Sequence, residues 1–335
     1  MKRLALIIII AIQFSNSFAQ ESQVEKKIFQ LSWIPPLSTN KPSDSVIYYS
    51  SVNILAGSNH GVEGVEFGSL VNITRTNSGF AQFAGLTNLT GKTATGIQAA
   101  GLANRAKTVK GTQMAGLINS VNTSNGLQLA GLANQADTLN GVQISGLVNY
   151  AKTVNGLQLG FINIADTVES GASIGFISIV KTGLHHFEVS NNDVIAVNLT
   201  FRSGTDRFYG IFTAGIQARS EPLWTAGLGF GTRFDLKKDK IVGSVEVTGS
   251  GINRTQGNLD QELNLLNKLS FNVGYQLTKR ILINAGPVLN VYVTRDLNSE
   301  SGKYGYNLNH KNLFNQTSNG TNTRMWIGYQ AGIWF

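Results

Sequence analysis

The middle of the chain is a tandem repeat. Copies of a unit of about 15 residues begin at Gly64, Phe80, Gly96, Gly111, Gly126, Gly141, Gly156 and Gly171. The copy that starts at Gly126 reads GLQLAGLANQADTLN. A unit this short cannot bury an apolar face alone, so the units must build one core by stacking on their neighbours. The repeat array therefore sets the architecture of residues 58–182.

Each unit carries β-strand patterning. It runs Gly, apolar, Gln, apolar, small, Gly, Leu, and after an Asn it continues through a polar stretch that contains Thr. Alternation of apolar and polar residues over the first half is typical of strands. Two architectures fit. Each unit is either one coil of a β-solenoid, or one strand of a membrane barrel with Leu127, Leu129, Gly131 and Ala133 facing outward.

The similar connections between units favour the solenoid. Successive strands of a meander run in opposite directions, so their loops would lie alternately on the two sides of a membrane. Loops on the two sides of a membrane barrel usually differ in length. Here each connection repeats a Thr, as at Thr108, Thr123 and Thr138. Such regularity is expected of translation along an axis, in which each coil meets its neighbour in the same way.

Two rows of amide side chains recur once per unit. One row is Gln98, Gln113, Gln128, Gln143 and Gln158, and the other is Asn104, Asn119, Asn134, Asn149 and Asn163. Stacked amides can hydrogen-bond along the axis of a solenoid. We expect both ladders to be structural, with a ligand-binding face as the alternative.

The first residues are typical of a secretory signal peptide. Lys2 and Arg3 precede an apolar run that begins at Leu4, and small residues lead to Ala19. We therefore predict a cleaved signal peptide over residues 1–19 and an N-terminal segment over 20–45. No other stretch reaches the ~20 continuous apolar residues of a membrane helix, so any embedding in a membrane must use β-strands.

Longer alternating segments follow the repeats. Residues 195–202, 269–277, 281–293 and 325–335 alternate apolar with small or polar residues, over about the length that crosses a bilayer obliquely. The last segment ends in Trp334 and Phe335. This ending resembles the C-terminal signal of outer-membrane barrels, which implies the barrel-assembly machinery and outer-membrane lipid as partners.

The connections between these segments alternate in length. Tight turns are expected near 204–206, 237–239 and 278–280, and long polar connections near 254–266 and 295–323. Transmembrane barrels have short periplasmic turns and longer outer loops. We therefore expect a periplasmic C-terminus.

Together these patterns predict an all-β fold. We expect a C-terminal antiparallel transmembrane β-barrel of about eight strands over residues 183–335, with a candidate first strand over 46–57. The repeat array over 58–182 is then a β-solenoid-like insert. The alternative is a single large barrel of roughly 16 to 18 strands that includes the repeats.

No pattern points to catalysis, a cofactor or a metal site. The chain has no Cys and four His, and the adjacent His185 and His186 would face opposite sides of a strand. Glu246, Arg202 and Arg233 are expected inside the barrel as an ion network. The 37 Gly and 14% charged residues are typical of a glycine-rich β protein. The net charge of +8 is scattered, so we expect no nucleic-acid partner.

The units GLQLAGLANQADTLN and GVQISGLVNYAKTVN resemble those of the surface repeat-containing proteins of Gram-negative outer membranes, which share a Gly-x-Gln-x-x-Gly-Leu-x-Asn core. The resemblance covers roughly residues 58–182, and it implies a surface location without a chemical activity. The leading hypothesis is a non-enzymatic surface protein whose barrel anchors a repeat domain for envelope structure or for an unknown surface ligand. The alternative is a porin-like channel in which the repeats are barrel strands.

Overall fold

The computed structural model describes residues 24–40, 45–218, 222–238, 240–254, 262–278, 280–298, 302–308 and 310–335. The predicted signal peptide lies outside these residues. The chain divides into two compact units, residues 1–136 and 137–335. Within the described part of the chain, no helix is long and apolar enough to cross a membrane.

The first unit is built from strands of a solenoid. They are β1 (Glu25–Ile34), β2 (Leu37–Ser38), β3 (Val46–Asn53), β4 (Ala56–Asn59), β5 (Gly61–Gly68), β6 (Val71–Thr74), β7 (Ala81–Ala84), β8 (Thr87–Thr90), β9 (Thr93–Ala100), β10 (Ala103–Ala115) and β11 (Ile118–Ala130). A further strand, β12 (Ala133–Ser145), begins in this unit and ends in the next.

Apart from β2, which pairs antiparallel with β1, these strands pair in parallel, one coil of the chain on the next. β3 pairs with β1 and β5, and in the β10–β11 pair Ala103 lies opposite Ile118 and Gln113 opposite Gln128. The register therefore advances by one repeat per coil. Identical positions of successive repeats stack directly, which the short period requires.

Each coil has a narrow interior. In the coil of β10 the buried positions are Asn104, Ala106, Val109 and Gln113. The exposed residues between them are polar, as at Arg105, Lys107 and Lys110. Because the apolar interior residues are small, the two walls of the coil lie close together and the amides occupy the remaining space.

Glycine is required where the coils approach most closely. A Cβ at Gly116 would lie 2.1 Å from the carbonyl oxygen of Gly101. At Gly111, where φ is +138°, it would lie 2.1 Å from the carbonyl oxygen of Gly96. Any side chain at these positions would push adjacent coils apart, which explains the two glycines of the repeat.

The second unit contains the last coils and an antiparallel sheet. Its strands are β13 (Val148–Leu159), β14 (Ile162–Ile174), β15 (Ile177–Val180), β16 (Leu184–Asn192), β17 (Val197–Thr205), β18 (Phe208–Gln217), β19 (Leu223–Lys237), β20 (Ile241–Arg254), β21 (Asn264–Gln276), β22 (Leu282–Thr294), β23 (Leu297–Asn298), β24 (Lys303–Tyr304), β25 (Phe314–Ser318) and β26 (Thr321–Trp334). β13, β14 and β15 pair in parallel, and β16 begins the antiparallel part.

The long antiparallel strands follow one another in chain order from β16 to β22 and then β26. β16 pairs with β17 on one side and with β26 on the other, where Glu188 lies opposite Trp334. Eight strands therefore form a ring, which we call the C-terminal ring. β25 pairs with β26 at the end of the ring where β26 begins.

The C-terminal ring has two different ends. At the turn end, β16 begins, β26 ends, and short connections join β17 to β18, β19 to β20 and β21 to β22. At the loop end, longer connections join β20 to β21 and β22 to β26. The tight turns and long connections predicted from the sequence fall at these positions.

The two faces of the ring are opposite in polarity. Outward residues of the strands include Val197, Ile216, Val247 and Ile327, which are 56–66% exposed. Inward residues are polar and buried, among them Asn198, Thr200, Arg202, Ser244, Glu246, Ser270 and Asn272. In a protein that folds in water, apolar side chains are more often buried and polar side chains more often exposed.

The predicted fold class is wrong. The repeats form a β-solenoid of about nine turns and not a closed barrel, and this solenoid is the main fold and not an insert. Residues 46–57 supply no strand to the ring, because Val46–Asn53 is a solenoid strand that pairs in parallel with β1. The single large barrel is wrong as well, because its neighbouring strands would be antiparallel. The strand that completes the ring is Leu184–Asn192.

Candidate functional site

The Gln row forms a continuous ladder in the first unit. Nε2 of Gln98 donates to Oε1 of Gln82 over 2.7 Å, Gln113 donates to Gln98 over 2.6 Å, and Gln128 donates to Gln113 over 3.0 Å. In the second unit Gln158 donates to Gln143 over 2.9 Å. Each Gln therefore donates to the coil before it.

The Asn row runs in the opposite direction. Nδ2 of Asn88 donates to Oδ1 of Asn104 over 2.9 Å, and Asn104 and Asn119 each donate to the Asn of the following coil over 3.0 Å. In the second unit Asn149 donates to Asn163 over 2.9 Å. The amide dipoles of the Gln row and those of the Asn row therefore point in opposite directions along the solenoid. Within each row all the dipoles point the same way, so each hydrogen bond strengthens the next.

The Asn side chains also tie the two walls of a coil together. Nδ2 of Asn104 donates to the backbone carbonyl of Met114 over 2.6 Å, and Asn119 makes the same bond to Leu129. Both amide rows are buried, with exposures of at most 2%. They lie inside the coils, out of reach of a ligand at the solenoid surface.

The Gln row begins on a carboxylate that the sequence reading did not single out. Nε2 of Gln82 donates to Oε2 of Glu66 over 2.7 Å. Three more donors converge on Glu66: the Thr74 hydroxyl at 2.7 Å, Asn53 at 3.0 Å and Asn59 at 2.7 Å. Glu66 stands where later repeats carry Gln. This departure from the repeat is the feature of the sequence from which the start of the row could have been predicted.

A carboxylate suits the start of this row because it accepts hydrogen bonds and donates none. Glu66 is fully buried. Burial raises the pKa of Glu66, and the hydrogen bonds from its four neighbours act in the opposite direction. In the second unit the Gln row ends at Ser173, whose hydroxyl donates to Oε1 of Gln158 over 2.7 Å.

An ion network lies inside the C-terminal ring. Arg202 donates to both oxygens of Glu246 over 2.8 Å and lies 2.7 Å from Oε2 of Glu188. Its guanidinium lies 4.2 Å from the ring centroid of Trp334, and the Tyr209 hydroxyl donates to Glu246 over 2.8 Å. Arg202 and Glu246 therefore meet inside the ring, as the sequence suggested.

Arg233 does not join this network. Its Nε lies 3.5 Å from a carboxylate oxygen of Asp206, near the turn end. The two histidines face different surroundings, because His185 contacts the Val180 carbonyl at 2.7 Å and His186 lies beside Trp334. Among the described residues, no group of three His, Asp or Glu side chains is placed to hold a metal ion.

Side chains fill the interior of the ring above and below a small polar cavity. Toward the loop end, an apolar cluster includes Val194, Ile195, Leu266, Tyr292, Tyr306, Leu308 and Trp326. The cavity below it is lined by polar side chains such as Thr200, Thr225, Thr248 and Lys268. Nearer the turn end, Arg202, Glu246 and Glu188 occupy the interior.

The last coil packs against the outer wall of the ring at its turn end. The Ser203 hydroxyl donates to the Ser178 carbonyl over 2.8 Å. Phe176 contacts Phe212 edge-on, with ring centroids 6.1 Å apart. Ser203 lies opposite Gly210, and these two small residues give the coil room to approach.

The end of the chain has two different aromatic environments. The Trp334 side chain is buried inside the ring under Arg202, whereas Phe335 is 52% exposed. Their reading as a barrel-assembly signal stays a prediction.

The geometry defines a class of protein: an all-β chain in which an amide-laddered parallel solenoid precedes a ring of eight antiparallel strands. Comparison with protein-family models, with curated proteins and with solved structures gives no match to this chain. The proposals below therefore rest on the residues and their arrangement.

Proposed function

We propose that the protein is a non-enzymatic component of a bacterial outer membrane, in which the C-terminal ring is the anchor and the solenoid is a rigid module for envelope structure or partner binding. The observation that carries this proposal is the reversed polarity of the ring. Outward Val247 and Ile327 are more than half exposed, while inward Arg202 and Glu246 are buried and paired. In lipid, an apolar outer face is stable and every backbone group is satisfied by the neighbouring strands.

Two segments of the sequence support export to that membrane. The predicted signal peptide over residues 1–19 would direct secretion. The aromatic pair Trp334 and Phe335, where β26 ends, would be read by the barrel-assembly machinery, which makes this machinery and outer-membrane lipid the proposed partners.

The orientation follows from the ring. Transmembrane strands of this kind have short turns on the periplasmic side. The turn end carries the short connections, the end of β26 and the last coil. We therefore place the last coil on the periplasmic side, which differs from the surface location implied by the resemblance.

The filled interior favours an anchor over a channel. Among the described residues, the apolar cluster around Tyr292 and Trp326 and the Arg202–Glu246 pair lie on either side of a small polar cavity. A conducting pore needs a continuous water-filled path.

Planar-bilayer recordings of the purified full-length protein test the anchor. We expect insertion without a steady ionic current. A large, stable current from the protein would overturn the anchor in favour of the porin-like alternative.

A further inference from the structure

The turn of each coil exposes an apolar side chain. In the first unit these residues are Leu55, Leu70, Leu86, Leu102, Leu117 and Leu132, and in the second unit they are Leu147, Phe161 and Phe176. Each is 38–48% exposed. We call the row in each unit its apolar stripe.

The stripe residues stack directly on one another. The amide of Leu86 donates to the carbonyl of Leu70 over 2.9 Å, Leu102 makes the same bond to Leu86 over 2.9 Å, and Leu117 bonds to Leu102 over 3.0 Å. Neighbouring side chains are therefore about 4.8 Å apart, the spacing of paired strands. Leu at a turn is unusual because turns favour Gly, Asn and Asp, which adopt turn conformations at little cost or hydrogen-bond to the local backbone.

Residues beside the stripe extend the apolar surface. Phe67 is 52% exposed and stacks on Phe83 with centroids 5.4 Å apart. Ile97 and Ile118 are also about two-fifths exposed. Monomeric proteins in water seldom expose contiguous apolar patches of this kind unless the patch meets a partner or a membrane.

The opposite corner of the coils is polar. In the coils of β10 and β11 it presents Lys107, Lys110, Asn122 and Asn125, all exposed. In the second unit, Lys152 pairs with Asp137 over 2.7 Å and Lys181 with Asp166 over 2.6 Å. The coils are therefore amphipathic across their width, with one apolar corner and one hydrated corner.

In the second unit the stripe continues onto the outer face of the C-terminal ring. Phe161 stacks on Phe176 at 4.9 Å, and Phe176 meets Phe212 at 6.1 Å. Phe212 lies opposite Phe201, and Phe201 contacts Phe187 at 4.8 Å. Five aromatic residues thus lead from the stripe to the face that the proposed function puts in lipid.

We propose that the apolar stripe of the second unit rests on the lipid surface, so that the last coils lie against the membrane. This inference depends on the proposed function. The aromatic residues join the stripe to the outer face of the ring, and lipid would cover that face if the ring is a membrane anchor. A row of Leu and Phe without polar anchors fits acyl chains, which impose no pattern of hydrogen bonds.

Single cysteines test the inference cleanly, because the natural chain has none. Full-length Leu147→Cys and Phe161→Cys carry a polarity-sensitive fluorophore on the stripe of the second unit. Asn140→Cys is the matched control, because this exposed residue lies in the same unit on the polar corner of the coils. Val247→Cys reports the outer face of the ring. Each labelled protein is inserted into phosphatidylcholine vesicles with or without brominated acyl chains, which quench fluorophores in contact with them.

We expect brominated lipid to remove most of the fluorescence at positions 147, 161 and 247 and to leave position 140 nearly unchanged. Quenching at 247 with none at 147 and 161 would overturn the inference and leave the membrane anchor standing. A blue-shifted but unquenched signal at 147 would also overturn it, because a protein surface would then cover the stripe. No quenching at 247 would reject the proposed function itself.

Discussion

Nε2 of Gln82 donates to Oε2 of Glu66 over 2.7 Å, and this contact is the first link of a row in which Gln98, Gln113 and Gln128 each donate one coil back. The row needs an acceptor at its start, and Glu66 receives four hydrogen bonds there. The burial of this carboxyl group gives the solenoid a pH-dependent stability.

Burial raises the pKa of Glu66 above its ordinary value of 4.5. The folded chain then keeps a proton that the unfolded chain has already lost, so the free energy of unfolding falls as pH rises from about 4.5 through the raised pKa. We expect Glu66→Gln to abolish this part of the pH slope. Urea denaturation of both proteins over the acidic to neutral range measures it.

Glu63→Gln is the control for this experiment. Its side chain is half exposed and contacts Lys26 at 2.6 Å, so its effect on stability should be small at every pH. An unchanged slope in Glu66→Gln would show that Glu66 does not titrate as a buried group.

Gly116→Ala should destabilise the solenoid by about 1–3 kcal/mol, as overpacking commonly does. The new Cβ would lie 2.1 Å from the Gly101 carbonyl oxygen, so adjacent coils must separate. Hydrogen exchange of the amides in β10 and β11 would report the loss as faster opening. The matched change Gly251→Ala adds a Cβ whose nearest atom is 3.8 Å away, and its exchange should stay close to that of the natural protein.

Arg202→Met should destabilise the C-terminal ring by about 3–5 kcal/mol, because it leaves the buried Glu188 and Glu246 without their cation. The urea midpoint of the ring in vesicles measures this loss. Arg233→Met removes an ion pair with the exposed Asp206 and should cost about 1 kcal/mol or less. Equal effects of the two changes would mean that the Arg202 network does not stabilise the ring.

The last coil packs at the turn end of the ring, which the proposed orientation puts in the periplasm. On intact cells, a membrane-impermeant thiol reagent should label Lys311→Cys at the loop end and should not label Asn122→Cys in the solenoid. Opening the outer membrane should make Asn122→Cys reactive. Labelling of Asn122→Cys without Lys311→Cys on intact cells would reverse the orientation.

The repeat period was sufficient to predict stacked coils, because a fixed spacing of Gly, Gln and Asn repeats one local structure. The beginning of the solenoid was not predictable in the same way. The segment of Val46 and Tyr48 alternates like a barrel strand and lacks the glycines of the repeat. Only its parallel pairing with β1 identifies it as part of a coil.

The first strand of the ring was missed because it lacks the apolar alternation that is typical of a barrel strand. Leu184–Asn192 carries His186 and Glu188 at inward positions, so its apolar alternation is weak. Glu188 is buried, and its Oε2 lies 2.7 Å from Arg202 of the neighbouring strand β17. Such a pairing depends on which strands become neighbours, and alternation within a single strand does not contain that information.

The position of residues 247 and 248 relative to lipid tests the membrane anchor most directly. Val247 points outward and is 56% exposed, whereas its neighbour Thr248 lines the inner cavity. In vesicles of brominated lipid, a fluorophore on Val247→Cys should be strongly quenched and one on Thr248→Cys should not. Equal quenching at both positions, or none at either, would contradict a ring that spans the membrane with its apolar face in lipid.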